Sequence, residues 1–171
     1  SRVPANSNGL QRALYWLGRA FEGTQSLHRA ADEYRKAIEC DVSNAYYITG
    51  SLIGLVRVNH ALGEVGQIHE SLAEAEQLSL QYEYNDHLAS MRLSQGHIAW
   101  EGAIPDWGIG FDAALGWYKL ALIHALRYNR FMLDEILWGR ELGTPLRSII
   151  PHCLERGEEG LRMLSTLRDW W

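Results

Sequence analysis

Leu14-Tyr15-Trp16-Leu17-Gly18-Arg19-Ala20-Phe21, followed by Ala30, Tyr34 and Ala37, is the stretch that decides the fold. Its apolar residues recur every three or four positions, the period of a helix with one buried face, and no strand-like alternation runs through it. The spacing predicts a first helix from about Leu10 to Glu22, with Ala13, Leu14, Leu17, Ala20 and Phe21 on its apolar side. Gly23-Thr24-Gln25-Ser26 is a turn, with Ser26 placed to cap a second helix from about Leu27 to Cys40. That helix carries Leu27, Ala30, Ala31, Tyr34, Ala37 and Ile38 on one stripe. So short a connection makes the two helices antiparallel neighbours.

This pattern resembles a tetratricopeptide repeat. The likeness rests on Leu17-Gly18, the aromatic Phe21 three residues on, and the Ala30-Tyr34-Ala37 stripe. Glycine and alanine let helix backbones approach, and the aromatics fill the space between successive pairs. The proline that usually ends such a repeat is replaced by Asp41-Val42-Ser43-Asn44. The motif returns with drift 38 residues later, in Leu55, Val56, Asn59, Ile68, Leu72 and Ala75, with Gly63 at the turn. A third copy holds Gly96, Ala99, Ala114, Tyr118 and Ala121, opens at Asn85-Asp86, and contains an enlarged loop, 104–110. The expected architecture is all-α: an α-solenoid of antiparallel hairpins in a single domain, 1–171. Repeat 1 spans about 10–40, repeat 2 about 45–80 and repeat 3 about 86–127. A divergent helical cap, 128–171, completes it, with Gly143-Thr144-Pro145 opening a helix, Pro151 kinking or breaking it, and Arg156-Gly157 opening the last. The spacing exceeds the roughly 34 residues of the standard unit. In that respect it resembles the looser repeats that follow the nucleotide-binding module of signal-transduction ATPases and regulators. The run Asn85-Asp86-His87-Leu88-Ala89 with Gln95-Gly96-His97-Ile98-Ala99-Trp100 is similar to those repeats too. No Gly-x-x-x-x-Gly-Lys loop occurs, so any ATPase module would lie outside this chain.

Composition narrows the function classes. The chain has 171 residues, 47% hydrophobic and 22% charged, which suits a globular domain with a contiguous core. A net charge of -5 without a basic cluster argues against nucleic-acid binding. No apolar run reaches the roughly 20 residues of a membrane span, and no signal segment opens the chain. Ser1-Arg2-Val3-Pro4 lacks a methionine, which points to a piece of something longer or a processed chain. Cys40 and Cys153 read as free thiols of a reduced, cytoplasmic protein.

Residues with chemical potential are dispersed. The seven histidines lack ligand spacing, since His60 and His69 lie across a turn and His152 adjoins Cys153. Cys153 and His152 point in different directions around a helix and cannot form a nucleophile–base pair. Asp134-Glu135 near Arg127 and Arg130 reads as helical ion pairing. No metal or cofactor is expected, and no enzymatic motif is present. Trp16, Trp100, Trp117 and Trp138 read as core, Trp107 as a loop residue, and Trp170-Trp171 as part of the cap.

In tetratricopeptide arrays the first helix of each pair lines a concave groove, and the residue after the Leu-Gly pair faces it. By that resemblance Arg19, Arg57 and His97 form a row, with Tyr15, Ile53, His60, Leu93 and Trp100 beside them. The implied function is a non-catalytic interaction or sensor module of a larger regulatory protein, gripping an acidic peptide or protein segment. The alternative for the arginines is pairing with acids such as Glu22 or Glu101. Tyr15, Gly54, Ser90 and Ser94 depart from the lysines and asparagines of the chaperone-binding carboxylate clamp. The rival functions are a self-association module forming a homodimer, and an enzyme whose site the fold assembles in the groove.

Overall fold

A computed structural model describes residues 7–40, 44–131 and 143–170, and the side chains of 9–40, 44–127 and 147–170. Every regular element among them is helical: α1 Ser7–Gly23, α2 Leu27–Ile38, α3 Ala45–Leu62, α4 Ile68–Gln81, α5 Asn85–Glu101, α6 Phe111–Phe131, α7 Gly143–Leu154 and α8 Gly157–Trp170. Single 3-10 turns, Val65–Gln67 and Pro105–Trp107, precede α4 and α6. Trp138, Trp171 and the pairing of Asp134-Glu135 with Arg130 lie outside the described side chains. Where the sequence suggests one body, the chain divides into two compact units, one ending at His87 and one beginning at Leu88.

In the first unit α1 packs on α2, α2 on α3 and α3 on α4, and α1 also reaches α3. The core holds Tyr15, Ala30, Ala31, Tyr34, Ala37, Leu55 and Val58. Its centre is Tyr34, fully buried. A Cβ on Gly18 would stand 2.6 Å from the Tyr34 ring, and one on Gly54 would also collide with it. The ring is therefore clasped between bare backbone of α1 and of α3, the close approach that glycine permits and any side chain forbids.

This clasp corrects the predicted face of α1. Gln11, Tyr15 and Gly18 are buried, Leu14 and Phe21 half-buried, and Ala13, Leu17 and Ala20 exposed. The helix is rolled so that Gly18 meets Tyr34 and the large Tyr15 ring is covered. Gln11 gains as well: its amide donates to the Ala37 carbonyl at 2.9 Å and accepts from the Asn44 N–H at 3.1 Å. A buried amide satisfied on both sides ties α1 to the α2–α3 connection. Trp16, expected in the core, is 54% exposed. The α2 stripe is as the spacing predicts, with Ala30, Ala31, Tyr34 and Ala37 buried.

The ends of α1, α3 and α4 follow one rule. Glu64 N–H donates to the Asn59 carbonyl at 2.8 Å across Gly63, whose φ is 76°. Ser26 N–H to the Phe21 carbonyl and Tyr84 N–H to the Ser79 carbonyl repeat the arrangement across Gln25 and Glu83. Those two residues hold φ of 59° and 57°, a left-handed conformation that is uncommon for any residue with a Cβ.

The second unit repeats the clasp. A Cβ on Gly96 of α5 would collide with the ring of Tyr118 on α6, also fully buried. Around it lie Leu93, Trp100, Ala114, Ala121, Leu122, Ile149, Cys153, Met163 and Leu167. α6 packs on α7 and α8, which pack on each other where Gly160 meets the Cys153 carbonyl. Pro151 neither breaks nor ends α7, which runs on to Leu154.

Candidate interaction surface

The eight residues assigned to a groove separate into three kinds. Tyr15, Ile53, Leu93 and Trp100 are buried, so their side chains cannot anchor a ligand without opening the structure. Tyr15 belongs to the core of the first unit, and Leu93 and Trp100 to that of the second. They are buried because each lies on the helix face that covers a neighbouring helix, not on the face turned outward. His60 is half-buried on α3. Arg19, Arg57 and His97 remain, and each has partners within the chain.

Arg57 grips Glu22 through two bonds, Nε to Oε1 at 2.6 Å and Nη2 to Oε2 at 2.9 Å. The Tyr34 hydroxyl donates to the same carboxylate at 2.6 Å. Burial alone would raise the Glu22 carboxyl; Arg57, the Tyr34 hydroxyl and the charge of Arg19 outweigh it and hold the pKa below the usual 4.5. Burial, followed by the Glu22 charge, raises the Tyr34 phenol, so that hydroxyl stays a donor. The pairing with Glu22 that the sequence leaves open is thus how Arg57 is used. Arg19 is exposed, and its guanidinium donates to the Tyr15 hydroxyl at 3.3 Å. Arg19 and Arg57 do converge around Glu22, but the acid between them leaves a net charge near +1.

His97 belongs to the second unit. Its Nδ1 lies 2.7 Å from the Tyr118 hydroxyl and its Nε2 3.1 Å from the Ser148 hydroxyl. The His152 ring packs on it with centroids 4.2 Å apart. Both nitrogens have partners within this unit, Tyr118 in its core and Ser148 at its surface. Arg156 spans Trp100 at 4.8 Å and pairs with Glu101 at 3.6 Å. Cys153 lies beneath, its thiol pushed up to about 11 by burial, which makes it a poor nucleophile. Both Cys40 and Cys153 are free thiols. No three His, Cys, Asp or Glu side chains among the described residues could share a metal ion, and no described helix is long and apolar enough to cross a membrane.

What the first unit does expose is the outer face of α1. Leu10 is 56% and Leu17 47% exposed, beside exposed Ala13, Trp16 and Ala20. Positions 10, 13, 17 and 20 follow the three-then-four spacing by which one helix seats another. Arg12 and Arg19, seven residues apart, border the Trp16 edge of this stripe, and no acidic residue lies on it. Sequence periodicity registered these apolar residues but assigned them to the core. The signal that could have placed them outside is the competition on α1 between Gly18-Tyr15-Gln11 and Leu10-Leu17-Ala20 for one buried face.

Compared with known proteins, this chain matches no family model, no curated sequence and no solved structure.

Proposed function

We propose that the chain is a non-catalytic interaction or sensor module, a cytoplasmic part of a larger regulatory protein. In this reading it holds an amphipathic, acidic-edged helix of a partner protein against the outer face of α1. The supporting observation is the exposed Leu10-Ala13-Leu17-Ala20 stripe with Trp16 and its arginine border. A stripe of that length on a single helix leaves apolar area in water that a partner helix would cover. The tetratricopeptide-like solenoid remains the proposed arrangement of the hairpins. The glycine-clasped tyrosine, at the position where the family pattern has an aromatic, supports it. The preference for an anionic partner moves from the Arg19, Arg57 and His97 row to Arg12 and Arg19.

A synthetic helix with leucine at a and d positions and glutamate along both flanks tests the proposal by titration calorimetry. Saturable, salt-sensitive binding is expected, lost in Leu10→Asp/Leu17→Asp. Arg12→Ala/Arg19→Ala should weaken it about two- to tenfold, as two exposed ion pairs warrant. Equal binding by wild type and the aspartate variant refutes the assignment. If α1 instead pairs two copies as a homodimer, sedimentation without any peptide will show a dimer that Leu17→Asp dissociates.

A further inference from the structure

A second exposed surface of the first unit is built on α3 and the α4–α5 turn. Tyr46 opens α3, and Tyr82 and Tyr84 flank the α4–α5 turn. The rings of Tyr82 and Tyr84 stack at 5.6 Å with an interplanar angle of 18°. Tyr84 meets Tyr46 edge-on at 5.3 Å and 82°, and Tyr46 meets Tyr47 at 5.6 Å and 89°. Tyr82 is 48% and Tyr46 37% exposed. The result is a ledge of tyrosine faces with perpendicular walls, open to solvent.

Rigid supports hold this ledge. The Tyr46 hydroxyl donates to Asp86 Oδ2 at 2.7 Å. The buried His87 ring lies 4.3 Å from the Tyr46 ring and donates Nε2–H to the Tyr46 carbonyl at 3.0 Å. Stacking of residues 82 and 84 depends on the left-handed Glu83 between them. Glycine fills the equivalent helix-end position at Gly63. Between Tyr82 and Tyr84 in sequence the turn carries an exposed carboxylate, Glu83. Asp86 adds a second, and residues 81–87 contain no lysine or arginine.

We propose that Tyr46, Tyr82 and Tyr84, with Glu83 and Asp86, form a docking site for a proline-rich segment in the polyproline II conformation that carries arginine or lysine beside its prolines. Proline rings pack flat on aromatic faces, and perpendicular rings supply slots at the three-residue turn of that helix. Its carbonyls have no internal partners and accept bonds from the hydroxyls of Tyr82 and Tyr84, that of Tyr46 being engaged by Asp86. The basic residue answers Glu83 and Asp86, the only formal charges in the turn. Both sides are pre-ordered, so little conformational entropy is lost on binding.

The test uses the full chain and a synthetic peptide with two prolines three residues apart preceded by arginine. Saturable binding is expected, weakened about tenfold by Tyr82→Ala, whose ring is exposed, or by Tyr84→Ala, whose half-buried ring stacks on it. Glu83→Gln should weaken the arginine peptide and leave a version with glutamine in place of arginine unaffected. Leu10→Asp/Leu17→Asp should not alter binding, which separates this site from the α1 face, and circular dichroism should match wild type in every variant. Equal affinity for a peptide with alanine in place of proline would overturn the proposal. So would absence of binding, or a dimer of the chain that Tyr82→Ala dissociates.

Discussion

The two units solve one packing problem with different polar partners. Each buries a tyrosine ring against a helix backbone that only glycine leaves bare, Tyr34 on Gly18 and Gly54, Tyr118 on Gly96. Each must then satisfy a phenol hydroxyl at the edge of an apolar core. In the first unit the hydroxyl donates to Glu22, whose charge Arg57 balances. In the second it meets His97, backed by Ser148 and His152. The first solution uses a permanent ion pair and the second a titratable ring. The difference teaches that a residue assigned from sequence to a binding surface can be consumed by the core of its own unit. What a partner meets is then decided by whichever faces are left over.

The comparison breaks first at the rings. Tyr34→Ala and Tyr118→Ala should each cost about 3–5 kcal/mol, since both rings are fully buried. Chemical denaturation with hydrogen exchange read separately over each unit checks this. A cost below about 1 kcal/mol in either unit would show that its ring is not the centre of the core.

Arg57→Ala sharpens the contrast. It strands the Glu22 carboxylate and should cost roughly 2–4 kcal/mol, somewhat below a fully buried pair, because about a quarter of each side chain reaches solvent. His97→Ala removes hydrogen bonds to two hydroxyls and should cost nearer 1 kcal/mol. Equal costs would mean that the charge of the first arrangement contributes nothing.

Acidity should separate the units next. His87 is held below its usual 6.5, first by burial and then by Arg57 and Arg19, against the raising effects of Asp86 and its bond to Tyr46. The unfolded chain therefore takes up this proton before the folded one, and the first unit loses stability as pH falls below about 6.5. Glu22, with its lowered pKa, contributes stability that is present above 4.5 and lost as pH falls through its folded value. On the alkaline side Cys153, raised from 9.0 to about 11, makes the second unit lose stability as pH climbs between those values. Melting at pH 5 and pH 10, resolved by unit, should show the first unit yielding sooner in acid. His87→Gln should remove part of that acid sensitivity.

The smallest effect has the opposite sign. Gly116 lies exposed in α6 with nothing near its missing Cβ, so Gly116→Ala should stabilise by about 0.5–1 kcal/mol. Gly96→Ala in the preceding helix should destabilise, because its Cβ meets the Tyr118 ring.

The helices were legible from the residues themselves. Periodicity placed all six helices from α1 to α6, and Gly63 marked its turn, because spacing and left-handed glycine are local properties. Which side of a helix faces in was less legible. On α1 two apolar arcs compete, and tertiary contact with Tyr34 and Ala37 decides for the arc that contains a glycine and a glutamine. Pro151 misled for a related reason, since packing of α7 on α8 sustains a helix that the isolated segment would not favour. Of the two readings the sequence leaves open for Arg57, the ion pair with Glu22 is the one present, and no local pattern could decide it because Glu22 stands 35 residues earlier. The α1 stripe and the tyrosine ledge were invisible as exposed surfaces because exposure is not a property of sequence.

The account's central claim is that partner recognition belongs to the outer face of α1 and not to the row of Arg57 and His97. Hydrogen-exchange and side-chain footprinting of the chain, with and without the acidic amphipathic helix bound, tests it most directly. The account predicts protection of Leu10, Trp16 and Leu17, with α3 and α5 unchanged. Protection centred on Arg57 and His97, with Trp16 and Leu17 as accessible as before, would contradict it.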